Sequence, residues 1–396
     1  MTEYRKSHRS GIKSDTTSLP VMHRAVAIAR DLIAIPSVNP MGKDVSGQIY
    51  SEKQVASYIG QFLNSIGVDF SVDASDPEHP NVIAKIDAGK RETVLLEAHM
   101  DTVSHENMSI DPFDPKLENG FLYGRGSCDT KSALAVYLYA VEQMLKRGYS
   151  WKRNLILAAV HDEEYFFGGA RKLAAMNLDA TFAVAGEPTS LNIVHAHKGV
   201  CRFMLSAQGK SAHAALPWLG ESAILKMGEV IMHLASYSQR LDEKVHPELG
   251  PATMNIGRIF GGETVNTVPS SCTIEIDHRL LPGDNYGTIR AAMQQALQNV
   301  KGIQIAPPYL EAPGVYNDKN GLACRELLRA SQTVHPASEF KTAHYATDAS
   351  ILNAMGIPTV VFGPGNVELA HTAAECVPLS DIESAAEIIV ALMRGR

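Results

Sequence analysis

Short apolar runs alternate with amphipathic stretches through the first half of this chain, and that alternation constrains the fold more than any other feature. NVIAKI (81–86), ETVLLEA (92–98), RNLILAAV (153–160) and TFAVAG (181–186) are apolar enough to be buried on both faces. Between them, TKSALAVYLYAVEQMLKRG (130–148) and ARKLAAMN (170–177) show helical periodicity. Strands buried on both faces need helices above and below them. The pattern therefore predicts an α/β fold, a largely parallel sheet covered by helices on both faces. Two further helices precede it, in VMHRAVAIARDLIAI (21–35) and SEKQVASYIGQFLNSIG (51–67), the second closed by Gly67.

Near Lys198 the rhythm changes. GVCRFMLSAQG reads as a strand and ESAILKMGEVIMHLASYSQRL as a helix; the strands ATMNIGRIFGG and SCTIEIDHRLL follow, then the helix YGTIRAAMQQALQNV and the strand GIQIAPPYL. That order, βαββαβ, predicts an inserted ferredoxin-like α+β domain over 198–312. After Pro313 the alternating style resumes with the helix CRELLRASQ, the strand PTVVFGPG and the helix ESAAEIIVALM. Residues 1–197 and 313–396 are accordingly expected to form one domain with 198–312 inserted into it.

A net charge of −7 with no dominant basic patch speaks against a nucleic-acid partner. The five cysteines are scattered and form no CxxC, which suits a reducing compartment and argues against a disulfide framework or a cysteine-bound zinc. No apolar run approaches membrane-spanning length, and the basic N-terminal arm MTEYRKSHRSGIKSDTTS has no apolar stretch behind it. A cytoplasmic protein without a membrane partner is the expectation.

Charged groups then stand at the ends of the strands. ETVLLEA runs into His99 and Asp101, RNLILAAV into Glu163 and Glu164, and TFAVAG into Glu187. The Gly-rich FLYGRGSCDTK carries Asp129 just before a helix, and VVFGPGN leads to His371. Open α/β sheets gather ligands at the carboxyl ends of their strands. Two histidines and several carboxylates converging there form an N/O donor set suited to zinc, with manganese or cobalt as substitutes. Adjacent carboxylates such as Glu163 and Glu164 repel one another, and divalent cations would relieve that repulsion.

The motifs HMD (99–101), GRGSCDTK (124–131), DEE (162–164) and GEP (186–188), with the late His371, resemble the dizinc amidohydrolase and metallopeptidase family. That family includes acetylornithine deacetylase, succinyl-diaminopimelate desuccinylase, aminoacylase and carboxypeptidase G. The resemblance runs from about residue 25 to the end and includes GKSAHAALP and ETVNTVP of the inserted domain. It implies two divalent metal ions, Zn2+ first and Co2+ or Mn2+ as alternatives. Asp129 would bridge them, His99 and Glu187 would complete one, and Glu164 and His371 the other. Asp101 would orient the far nitrogen of His99. Glu163, left without a metal, would be the general base that moves a proton from water to the departing amine.

By the same resemblance, His213 would reach the reacting carbonyl from the partner subunit of a homodimer, and Asn266 and Arg279 would hold the carbonyl region and free carboxylate of the substrate. The implied activity is hydrolysis of an N-acyl amino acid or related small amide. A dipeptidase or carboxypeptidase acting on a short peptide is the alternative, and a catalytically silent binding protein a remoter one.

Other residues admit plainer readings. Asp129 could also cap its helix, and Arg279 could pair with Asp277 or Glu275 inside its own sheet. His195 and His197 in IVHAHKG lie away from the converging loops. His161 is expected to shape the pocket, and Thr347 and Asp348 to line it or cap a loop. GPGN (363–366) lacks the spacing of a phosphate loop.

Overall fold

A computed structural model describes residues 22–73, 75–176 and 178–395; the basic N-terminal arm lies outside them. The apolar runs join in a nine-stranded sheet. Its order is Phe70–Asp73, Asn81–Ile86, Asn154–Val160, Thr93–His99, Phe182–Ala185, Thr359–Val361, Ile193–His197 and Val315–Tyr316, with Phe340–Ala343 also on Ile193–His197. The central strands, from Asn154–Val160 to Thr359–Val361, run parallel. Antiparallel pairings at both margins make the whole sheet mixed. For the outermost pair the cause is connection length: 74–80 is too short for a crossover, which takes about a dozen residues, so the first two strands form a hairpin.

Alternate residues of each central strand enter different cores. Val94, Leu96 and Ala98 pack with the helices Arg24–Ile33, Lys53–Ser65, Lys131–Lys146 and Leu379–Arg394, whereas Leu95 packs with Leu173 and Leu352 on the other side. Helix Lys131–Lys146 is buried along nearly its whole length, between the sheet and the two helices Arg24–Ile33 and Leu379–Arg394. Asp129 lies two residues before it, so the most enclosed helix among the described residues starts at the site.

The inserted unit has the expected βαββαβ order. Its sheet runs Thr253–Gly261, Ser271–Leu280, Gly199–Gln208, Ile303–Ile305, with Leu310–Ala312 also on Gly199–Gln208. Phe203, Leu205, Ile274 and Ile276 face the helices Ala223–Arg240 and Tyr286–Ala296 and form a separate core with Met227, Val230 and Met293. By strand alternation the opposite face carries Arg202, Asp277 and Arg279.

The sequence reading did not anticipate the small sheet of Lys116–Glu118, Phe121–Tyr123 and Cys376–Pro378. It joins the loop before Asp129 to the segment just after His371. In that loop Gly126 has φ +83°, and a Cβ there would lie 2.8 Å from Thr102 Cγ2, so the chain needs glycine to pass.

Candidate active site

Each expected metal ligand arrives at the carboxyl end of the central strands. His99 ends its strand, Glu164 follows Asn154–Val160, and Glu187 follows Phe182–Ala185. Asp129 reaches both histidines: its Oδ1 is 3.0 Å from His99 Nε2 and its Oδ2 is 3.2 Å from His371 Nε2. Glu187 Oε1 stands 3.7 Å from His99 Nε2, and Glu164 Oε2 stands 3.3 Å from His371 Nε2. Glu163 joins the same cluster: ligand-type atoms of His99, Glu163 and Glu187 all lie within 4.8 Å of one another, as do those of His99, Asp129 and Glu164.

Asp101 differs in detail from the expectation. His99 Nδ1 meets the backbone carbonyl of Asp101 at 2.9 Å, with the carboxylate at 3.5 Å. The carboxylate is occupied elsewhere. It accepts from the backbone N–H groups of Glu163 (3.1 Å) and Glu164 (3.2 Å) and from Asn39 Nδ2 (2.9 Å). One buried side chain thus ties the acidic pair to the strand that ends in His99. Asn39 Nδ2 also donates to Asp162 Oδ1 at 2.9 Å. Asp162 and His371 both have φ of 60°, a strained backbone for these residues, and both stand where side chains are aimed into the site.

The electrostatics show what these groups lack. Burial, then the charge of Glu187, pushes Glu163 well above the usual carboxylate range, and burial, then Asp129, does the same to Glu187. Glu164 is pushed up to about 7, by burial and then by Asp129. Hydrogen bonds to Asp129 and Glu164 raise His371 to about 10. A buried set of carboxylates and imidazoles, with one carboxylate turning an oxygen to each imidazole, is a donor set that fits two divalent cations.

A pocket of about 300 Å³ opens onto this cluster. Asp129, Glu163, Glu164, Glu187 and His371 line it from the large sheet, and Arg202 and Arg279 from the inserted unit. Thr347 lines it too. Asp348 is buried behind, beside Glu97. His213 and Asn266 do not line the pocket of their own chain: both are exposed, on adjoining loops where Ala214 N donates to Asn266 O at 3.0 Å. His161 lines a neighbouring cavity instead, its Nδ1 held 2.8 Å from Asn81 Oδ1. His195 is bound to Glu248 and Asn317 O, and His197 to Thr347 and Lys198 O, so neither faces the cluster.

Sequence reasoning missed the support behind Asp129 and His371. Glu375 Oε1 accepts from the backbone N–H groups of Cys128 (2.8 Å) and Asp129 (3.0 Å), and its Oε2 lies 2.5 Å from Arg125 Nη1. Arg125 Nη2 donates to Asn107 Oδ1 at 2.9 Å, and Asn107 Nδ2 donates to the His371 carbonyl at 3.0 Å. Glu375 lies four residues past His371, but nothing in its local pattern marks it.

Residues 95–395 match the peptidase family M20/M25/M40, and the chain belongs to that family. It is 31% identical over 324 residues to an acetylornithine deacetylase of Myxococcus xanthus, covering 78% of this chain and 82% of the relative. An acetylornithine deacetylase of Vibrio cholerae is 29% identical over 356 residues, 86% of this chain and 91% of that one. The fold is also that of an aminopeptidase PepT from Bacillus cereus, with a TM-score of 0.74 at 21% identity over 94% of this chain and 98% of that chain. The chain is a metal-dependent hydrolase of amide bonds, a deacylase or a peptidase.

Proposed function

We propose that this protein is a two-zinc deacylase that releases the acyl group of N-acyl amino acids. The observation that carries this reading is the split of Asp129 between two imidazoles, with Glu187 on one side, Glu164 on the other and Glu163 adjoining. In this reading His99, Asp129 and Glu187 would hold one cation and Asp129, Glu164 and His371 the other. When bound, the cations would acidify water and polarise the amide carbonyl. Glu163, which this reading leaves off both cations, would take the proton of the attacking water on a carboxylate oxygen and return it to the departing amine nitrogen. Arg279 donates to the free carboxylate of the substrate, for which its planar fork is suited.

His213 and Asn266 are assigned to the neighbouring site of a homodimer, since their own pocket does not contain them. The exposed edge strand Thr253–Gly261 and the outward residues Leu225 and Met232 (77% and 69% exposed) are surfaces such a pairing would cover. We place the unit boundaries at 197/198 and 312/313. The five cysteines are free and buried, in keeping with a cytoplasmic, reducing environment. No helix among the described residues is long and apolar enough to cross a membrane.

The deciding experiment loads the metal-free protein with zinc, cobalt or manganese and screens acetyl-, succinyl- and formyl-amino acids beside dipeptides. Turnover confined to the acyl amino acids is expected; turnover confined to dipeptides would make the enzyme a dipeptidase.

A further inference from the structure

The face of the inserted unit above the cluster carries two guanidiniums, one more than a single substrate carboxylate requires. Register pairs Arg202 with Asp277 and Val200 with Arg279 on neighbouring strands. Asp277 is the carboxylate between two guanidiniums: its Oδ2 accepts from Arg202 Nε at 2.9 Å, and its Oδ1 lies 2.8 Å from Arg279 Nε. Arg279 Nη2 also reaches Oδ2, at 3.3 Å. Among the described residues neither guanidinium has another hydrogen-bond partner, so both amino ends of Arg202 are free.

Both arginines line the pocket, together with Val200, Leu310 and Phe167. Buried Lys198 adds a cation nearby, its Nζ donating to the Pro251 carbonyl at 2.6 Å with no ion-pair partner among the described residues. Two guanidiniums therefore share one carboxylate, against partly apolar walls where an unpaired guanidinium is costly.

We propose that Arg202 is a specificity-determining residue: with Arg279 it forms a two-guanidinium receptor, and the preferred substrates are N-acyl amino acids that carry a second carboxylate. This rests on the deacylase reading above. Arg279 takes the carboxylate next to the scissile amide, and Arg202 takes the other. That second carboxylate belongs to a dicarboxylic acyl group or to an acidic amino acid; the chemistry at Arg202 is the same.

The test uses zinc-loaded enzyme and two pairs that differ in one charge. N-acetyl-L-glutamate against N-acetyl-L-glutamine puts the carboxylate on the amine half. N-succinyl-L-alanine against its succinamide counterpart puts it on the acyl half. In one pair the charged member is expected to lead in kcat/KM by about tenfold or more, the scale of a charge-assisted pair. Arg202→Gln should lower kcat/KM of that charged member at least about tenfold more than that of its neutral partner, mainly through KM, and Arg202→Lys should fall between. No preference in either pair, or an equal fall for both members in a folded, zinc-loaded Arg202→Gln protein, overturns the proposal.

If no compound is hydrolysed, the deacylase reading fails, and calorimetric titration still judges the receptor. Tighter binding of the charged member of either pair that Arg202→Gln abolishes would support it; equal binding of charged and neutral members in both pairs would end it.

Discussion

Replacing Glu375 with glutamine changes one functional group, removes no volume, and tests how the second metal position is held. Arg125 and Glu375 are both 0% exposed, and their ion pair is continuous with the backbone of Asp129 at one end and, through Asn107, with that of His371 at the other. The amide can still accept through its oxygen, so the Cys128 and Asp129 N–H bonds weaken rather than vanish. The ion pair itself is lost, and Arg125 is left buried and unpaired, at a cost of about 3–5 kcal/mol. Against a typical total of about 5–15 kcal/mol, that is measurable by urea unfolding of the metal-free protein.

The same change should weaken zinc binding about 10–100-fold, as loss of a group that orients a ligand does. A competition titration against a chromophoric chelator reads this directly. Asn107→Ala separates the two effects, because Asn107 is exposed: stability should move by about 1 kcal/mol or less while zinc affinity still falls. The reasoning is refuted if Glu375→Gln unfolds at the wild-type midpoint. It is refuted equally if both variants bind zinc within about twofold of wild type, since the pair would then hold only the fold.

Glu163→Gln should keep both zinc ions by metal analysis while kcat drops by about two to four orders of magnitude; activity near wild type would remove Glu163 from proton transfer. His213→Ala and Arg279→Ala, each inactive alone, should regain about a quarter of wild-type activity after subunit exchange, because a mixed dimer rebuilds one site. No recovery despite proven exchange would place both residues in the same chain's site. A third test is pH. Glu164 is raised from 4.5 to about 7 by burial and then Asp129, and Glu163 and Glu187 shift the same way. Such carboxyls stabilise the metal-free fold fully below 4.5, and that contribution is lost as pH climbs through about 7. The metal-free protein should therefore melt lower at about pH 8 than at about pH 5, and zinc should narrow the gap; a flat profile without metal would contradict the shifts.

What could be read from the chain alone follows from how each part is specified. The central strands were legible because burial on both faces leaves uninterrupted apolar runs, and His99, Glu164 and Glu187 were legible because they directly end such runs. The marginal strand Phe70–Asp73 was not: it is largely exposed and carries no apolar run, so its antiparallel pairing with Asn81–Ile86 left no mark. Glu375, Arg125 and Asn107 carry no periodic signal, since ion pairs across some 250 residues are set by tertiary packing alone.

Arg202 shows a subtler limit. In GVCRFMLSAQ the alternation correctly assigns Cys201, Phe203 and Leu205 to the core, and it says of Arg202 only that it faces away. Period two cannot tell a face turned to water from a face turned to a pocket, because both avoid the same core. Arg279 makes the point from the other side. A partner in its own sheet and a place at the substrate were alternatives on paper, yet the structure permits both at once: Nε faces Asp277 while the side chain still lines the pocket. A guanidinium has five donors in two directions, so a structural ion pair does not use it up. It fixes the orientation in which the remaining donors meet a ligand, and a second arginine on the same carboxylate doubles that presented edge.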